Sequence, residues 1–212
     1  MKFIESDISI FDLDHTLIRC NVSALFGRYL FKRGFFSFFT SLFLSTVYAL
    51  HKWHFVSLHT LHALSFRLLF YRQSRACIQQ YVKDFFHEFD GFFKEEIVAL
   101  VHASKKRGER VILQSSSPDF LVKPIAEALG IEHVFSSVYT VDCEGRFFSI
   151  EVLDGKGKER RVGESVLCHT TAYSDSILDV PLLEKAQVPV AVNPDNRLFA
   201  LAMEKEWVVL LT

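Results

Sequence analysis

Hydrophobic and polar positions alternate over residues 7–12, in the run DISIFD, and then give way to carboxylates, the pattern of a buried strand that stops at a polar edge. A helix is predicted over residues 21–32. From residue 34 to about 90 the pattern is helical throughout, with long apolar and aromatic stretches and no strand-turn punctuation, so this part reads as an inserted helical cap. The stretch FKEEIVALVHASKKRG places acids early, bases late and a glycine last, the end chemistry of one more helix. ERVILQSSS reads as a second strand. SPDFLVKPIAEALGI reads as a helix begun by Ser117, with Pro118 in its first turn and a kink at Pro124.

Beyond that helix, VFSSVYTV, a turn at Glu144-Gly145 and RFFSIEVL suggest an antiparallel excursion. HTTAYS, PVAVNP and WVVLL read as further core strands, separated by helices near residues 180–185 and 196–205. Repeated β-α alternation predicts an α/β fold, a mostly parallel sheet with helices on both faces. The expected division is a core of residues 1–20 and 91–212 and a cap of residues 21–90, with no internal repeat or linker.

Composition narrows the setting. A chain of 212 residues has room for one α/β unit and an insertion. Its net charge of -1 and pI near 6.8 leave no basic excess for a nucleic-acid backbone. Cys20, Cys77, Cys143 and Cys168 form no CxxC pair and follow no leader with a cleavage site, which suits a reducing cytoplasm. The 22 phenylalanines supply most of the aromatic content and concentrate between Phe26 and Phe93. Residues 34–50 carry no charge but fall short of the roughly 20 apolar residues that span a bilayer. They read as a buried or homodimer-forming helix, with a helix resting on the inner face of the membrane as the alternative and a spanning helix as the third reading.

Candidate chemistry gathers at strand ends. Asp12 and Asp14 are two apart where the first strand stops, so continued strand geometry would send both side chains to one side, an arrangement that calls for a cation. The carboxyl edge of a parallel sheet is where α/β folds place ligands. Ser115 closes the second strand ahead of a helix, where a hydroxyl and free backbone N–H groups suit phosphoryl oxygens. Asp175 and Asp179, four apart after a later strand, can point the same way from a helix start.

The run Asp12-Leu13-Asp14-His15-Thr16-Leu17 matches the first signature of the haloacid dehalogenase superfamily, and Ser115, the lysines of GKGKERR and the aspartates of AYSDSILDVPLL follow in the family's order. Over residues 8–23 and 111–211 the chain is similar to the phosphoserine-phosphatase-like subfamily, whose helical cap follows the first motif. The resemblance implies a Rossmann-like core and a Mg²⁺-dependent phosphomonoester hydrolase working through an aspartyl-phosphate. It makes Asp12 the nucleophile and Asp14 the acid and base. Thr16, Ser115 and Lys158 would hold the phosphoryl group, with Lys156 as the other lysine candidate. Asp12, Asp175 and the Asp14 carbonyl would bind the metal, and Asp179 would join its outer shell or pair with Lys158. Only 16 residues separate Lys158 from Asp175, short for the family, which implies a trimmed connecting helix.

Asn21 stands where the phosphoserine enzymes carry a glutamate for the substrate amine, so phosphoserine is disfavoured and the expected substrate is another small phosphate ester. A lipid phosphate, as in the phosphatidylglycerophosphate phosphatase branch, is the alternative, and a catalytically silent membrane- or partner-binding module is a third reading. His51, His54, His59 and His62 fit one broad helical face, but no acidic or cysteine ligand accompanies them at close spacing, so they read as amphipathic surface rather than zinc ligands. Phe35, Phe36, Phe38 and Phe39 read as packing or membrane contact, since basic interleaving for nucleic acid is missing.

Overall fold

In the computed structural model, which describes residues 7–53, 55–88, 91–162 and 169–212, the first strand β1 (Ile8–Asp12) is buried along its whole length. His54, Asp90 and Cys168 lie outside the described residues, as does part of the short connection from Lys158 to Asp175. The one polar residue inside β1 is satisfied there: Ser9 donates to Glu109 at 2.7 Å and accepts from Ser104 at 3.0 Å. Alternate residues of β1 serve opposite faces, as a period of two requires. Phe11 joins a large cluster with Phe26, Phe85, Phe120 and Tyr139, while Ile8 and Ile10 join Ile112, Leu182 and Leu198 on the other side.

Six further strands complete the sheet: β2 (Arg110–Pro118), β3 (His133–Val141), β4 (Phe147–Glu151), β5 (Thr170–Ser174), β6 (Val188–Val192) and β7 (Val208–Leu210). Their order is β4-β3-β2-β1-β5-β6-β7, parallel except for the β3–β4 pair. This is the α/β architecture that the alternation predicts, with the antiparallel excursion at β4. The order reverses at β1, between β2 and β5, which puts a crevice at its carboxyl end.

The helices between β1 and β2 are α1 (Val22–Lys32), α2 (Phe38–Lys52), α3 (Leu58–Ser65), a π turn at Phe66–Phe70, α4 (Arg75–Glu88) and α5 (Glu95–Lys106). Side-chain oxygens start three of them, with Asn21, Ser37 and Ser57 accepting from Ala24, Thr40 and Thr60. Phe26 and Phe85 meet edge to face at 5.3 Å, as do Phe120 and Tyr139, and Phe70 lies 5.4 Å from Phe120. Each such buried ring contributes about 1.5–3 kcal/mol through lost water contact, so these aromatics weld the helices to the sheet. The phenylalanines divide sharply, because Phe38, Phe39 and Phe43 are exposed and Phe35 and Phe36 half-buried.

One boundary differs from the sequence expectation. Strand β2 runs on to Pro118 with a register irregularity after Gln114, and α6 (Asp119–Ala128) begins at Asp119 without a side-chain cap. Ser117 is therefore strand rather than cap, because its hydroxyl is taken by Asp14 at 2.7 Å. Helix α6 continues through Pro124. The remaining helices among the described residues are α7 (Gly155–Val162), a 3-10 turn at Ile177–Asp179, α8 (Val180–Leu183) and α9 (Asn196–Glu204).

Candidate active site

Asp12 ends β1, Ser115 lies near the end of β2, and Asp175 directly follows β5, so three neighbouring parallel strands deliver these residues to the crevice. Strand geometry does not persist past Asp12. The chain turns, His15 adopts φ +60° and Asp14 bridges to Ile18, and the two carboxylates take different hydrogen-bond partners. Asp12 faces α7, where Lys158 donates to its Oδ1 at 2.5 Å. Asp14 faces β2 and α1: its Oδ1 accepts from the Val22 N–H at 2.7 Å, and its Oδ2 from Ser117 at 2.7 Å and Ser115 at 3.3 Å.

Lys158, almost fully buried, also donates to Asp179 Oδ2 at 2.7 Å, and Ser174 donates to the same oxygen at 2.7 Å. Of the two candidate lysines it is thus Lys158 that reaches the carboxylates. Thr16 is buried with its hydroxyl on Asp175 Oδ1 at 3.2 Å.

Four residues of this cluster are given no site role by the sequence motifs. Ser117 and Ser174 hold Asp14 and Asp179. Lys94 is buried at the start of α5 and donates to the His15 carbonyl at 2.5 Å, which fixes the turn after Asp12. A lysine at the positive end of a helix is electrostatically misplaced, and that oddity was a legible signal. Gly155 lets α7 pack on the turn before α8, since a Cβ there would lie 1.9 Å from the Leu178 carbonyl oxygen.

Charge in the cluster is unbalanced. Burial would lower Lys158, but Asp12 and Asp179 outweigh it and hold the ammonium protonated. Burial raises Asp12 well above the usual carboxylate range in spite of Lys158, with Asp179, Asp175 and Asp14 adding repulsion. Burial also raises Asp14, opposed by its bonds from Ser117 and Val22. Asp175 is pushed up to about 7 by burial and by Asp179. Such a surplus of buried negative charge fits a hard cation. The donors are all oxygen, and no three His, Cys, Asp or Glu side chains among the described residues group into a closed cage. That set suits Mg²⁺, which takes one or two carboxylates and keeps its waters, and does not suit structural zinc.

Above Asp14 a cavity of about 420 Å³ runs from Ser116 and Ser117 into the helices. Phe26, Phe31, Phe36, Leu44, Leu69 and Phe70 give it an apolar lining. Its polar groups include Arg28 on α1, Ser41, Ser45, Tyr48 and His51 on α2, and His62 on α3. Burial lowers His62 to about 4, with His51 and His59 adding to it, so the ring stays neutral near pH 7. Asp14 is the only carboxylate on the cavity wall among the described residues.

The fold has known counterparts. The family model for haloacid dehalogenase-like hydrolases matches residues 10–184. A histidinol-phosphatase of Neisseria meningitidis serogroup C (strain 8013) is 27% identical, over 96% of this chain and 98% of its own. A protein of unknown function from Bordetella pertussis Tohama I superposes with a TM-score of 0.82 at 22% identity, over 96% of this chain and 97% of its own. A phosphoserine phosphatase solved as a phospho-aspartyl intermediate analogue superposes at 0.69 and 16% identity, over 98% and 93% of the two chains. The chain belongs to the haloacid dehalogenase-like hydrolase family and is an enzyme of its phosphatase type.

Proposed function

We propose that the chain hydrolyses a small phosphate monoester through an aspartyl-phosphate on Asp12. The observation that carries this reading is the buried Asp12 carboxylate, held at 2.5 Å by Lys158 at the carboxyl end of the central strand, with Asp14 beside it on the cavity wall. Asp12 attacks phosphorus in line, and a carboxylate-oxygen-to-phosphorus bond forms as the ester oxygen leaves. Asp14, whose raised proton affinity suits a general acid, gives that oxygen its proton. The same carboxylate then takes a proton from the water that attacks the phosphoenzyme, releasing phosphate and restoring Asp12.

Lys158 and Ser115 hold the phosphoryl oxygens, Asp179 and Ser174 fix Lys158, and Thr16 orients Asp175. Asp12, Asp175 and the main-chain carbonyl of Asp14 would hold Mg²⁺, which when bound offsets the repulsion between the carboxylates and a phosphate dianion. Residues 21–90 act as the cap that selects the leaving group. Its cavity favours an alcohol with an apolar body and no ammonium group, since Asp14 is the one wall carboxylate among the described residues and Arg28 is the nearby cation.

Phosphate release from a panel of monoesters in Mg²⁺ tests this reading. Asp12→Asn keeps the shape of the side chain, and turnover should fall on the order of 10⁴-fold while the thermal melt stays cooperative. Undiminished turnover in that variant would exclude the covalent route.

A further inference from the structure

Helix α2 is apolar on both sides. Its inward side buries Val47 and places Leu44 on the cavity wall together with Ser41, Ser45, Tyr48 and His51. Its outward side presents Phe38, Phe39, Leu42 and Phe43, which are 63%, 80%, 55% and 48% exposed, and Thr46, Ala49 and Trp53 continue the same face, all exposed. A helix lying on a water-facing domain keeps polar residues on its outward side. Phe55, just beyond the helix, is 78% exposed and extends the apolar surface, which is larger than scattered single residues explain.

Charge indicates what covers this face. No Asp or Glu occurs between Asp14 and Asp84, whereas that stretch carries nine Lys and Arg in a chain whose net charge is -1. Lys32 and Arg33 precede α2, and Lys52, which ends it, lies 5.7 Å over the Tyr48 ring on the cavity side. Arg33 pairs with Glu88, but neither Lys32 nor Lys52 has an ion-pair partner among the described residues.

We propose that the outward face of α2 docks on an anionic lipid bilayer surface. Phe38, Phe39, Phe43 and Trp53 enter the boundary between headgroups and acyl chains, and the exposed Lys32 meets lipid phosphates. The contact lies in the plane of the bilayer, because α2 has 15 residues and no helix among the described residues is long and apolar enough to cross. A second copy of the chain fits less well, since a twofold contact would set each acid-free, cationic segment against its own duplicate.

The test is co-sedimentation with vesicles of phosphatidylcholine alone and with roughly one third phosphatidylglycerol, alongside Trp53 emission in a Trp207→Phe background. The expected result is binding about fivefold stronger to the anionic vesicles, the contribution of one surface cation. A blue shift of Trp53 and weakening in high salt should accompany it. The triple variant Phe38→Ser, Phe39→Ser, Phe43→Ser should lose vesicle binding while keeping its thermal melt and its hydrolysis of a soluble monoester. Absence of pelleting with anionic vesicles would overturn the proposal, as would pelleting that the triple variant leaves intact. A dimer dispersed by the triple variant would also overturn it and assign the face to self-association.

Discussion

Gly155 and Leu178 touch backbone to backbone: a methyl group on Gly155 would lie 1.9 Å from the Leu178 carbonyl oxygen and 3.7 Å from the Asp179 Cα. Neither neighbour is the far end of a flexible side chain, so α7 itself must move to admit one. That helix carries Lys158, which reaches both Asp12 and Asp179. Gly155→Ala should therefore cost about 1–3 kcal/mol of stability from overpacking and on the order of 100-fold in kcat from misplacing the ammonium. Lys156→Ala on the same helix should change neither much. Urea melts and phosphate-release kinetics on the two variants check this, and equal behaviour would refute it.

Metal dependence and pH are linked through Asp175 and Asp12. Both carboxyls hold their protons more tightly folded than in an open chain, Asp175 to about 7. Ionising them is therefore unfavourable to the fold, and stability of the metal-free protein should fall as pH rises from about 4 through about 7. Bound Mg²⁺ pairs with the ionised forms. Its stabilisation should be small near about pH 5, where protons compete, and reach about 5–10 °C in Tm near about pH 8 at saturating metal. Calorimetry in Mg²⁺ and in EDTA across that range measures it; a Tm indifferent to metal at every pH would contradict the assignment.

How much of this was legible in the sequence follows from where each interaction closes. The sheet and its strands were readable because alternation and β-α rhythm are local. Asp12, Ser115, Lys158, Asp175 and Asp179 were readable because each sits in a short run of its own. Ser117 was not, since its partner Asp14 is 103 residues away and the nearby proline made it resemble a helix cap. Lys94 stood out as a lysine at a helix start, but its partner was hidden likewise, 79 residues away at His15. The phenylalanines defeated pattern reading for another reason. So many crowd residues 26–93 that the 3.6-residue period is blurred, and only the fold shows that Phe26 and Phe85 are core while Phe39 faces outward.

Ser117 offers a direct handle on the proton chemistry. Burial raises Asp14, and the Ser117 hydroxyl, donating at 2.7 Å, is the strongest group opposing the rise. Ser117→Ala should lift the Asp14 proton affinity further. In single-turnover formation of the phosphoenzyme, where Asp14 acts as acid, the loss of rate at high pH should then begin about one pH unit higher, matching the loss of one bond to a charged group. A profile that does not move would mean that Asp14 is not the proton donor.

Substrate charge should be readable at Arg28. This side chain lies at the cavity wall with no ion-pair partner among the described residues, and Tyr48 is its neighbour across the space. Asn21, at the position where the phosphoserine enzymes carry a glutamate, spends its side-chain oxygen on the Ala24 N–H at 2.8 Å, capping α1. An ammonium on the leaving group therefore meets a neutral amide and a cation. Histidinol phosphate and phosphoserine should accordingly have lower kcat/KM than an uncharged aryl or alkyl phosphate of similar size. Arg28→Glu should reverse that order by about five- to tenfold, mainly through KM, because it replaces a repulsive charge at a partly solvated site with an attractive one. The measurement is a set of paired kcat/KM values for the wild type and the variant on amino and neutral esters. If histidinol phosphate is already the best substrate of the wild type and Arg28→Glu leaves the ratio alone, the cavity does not select against ammonium.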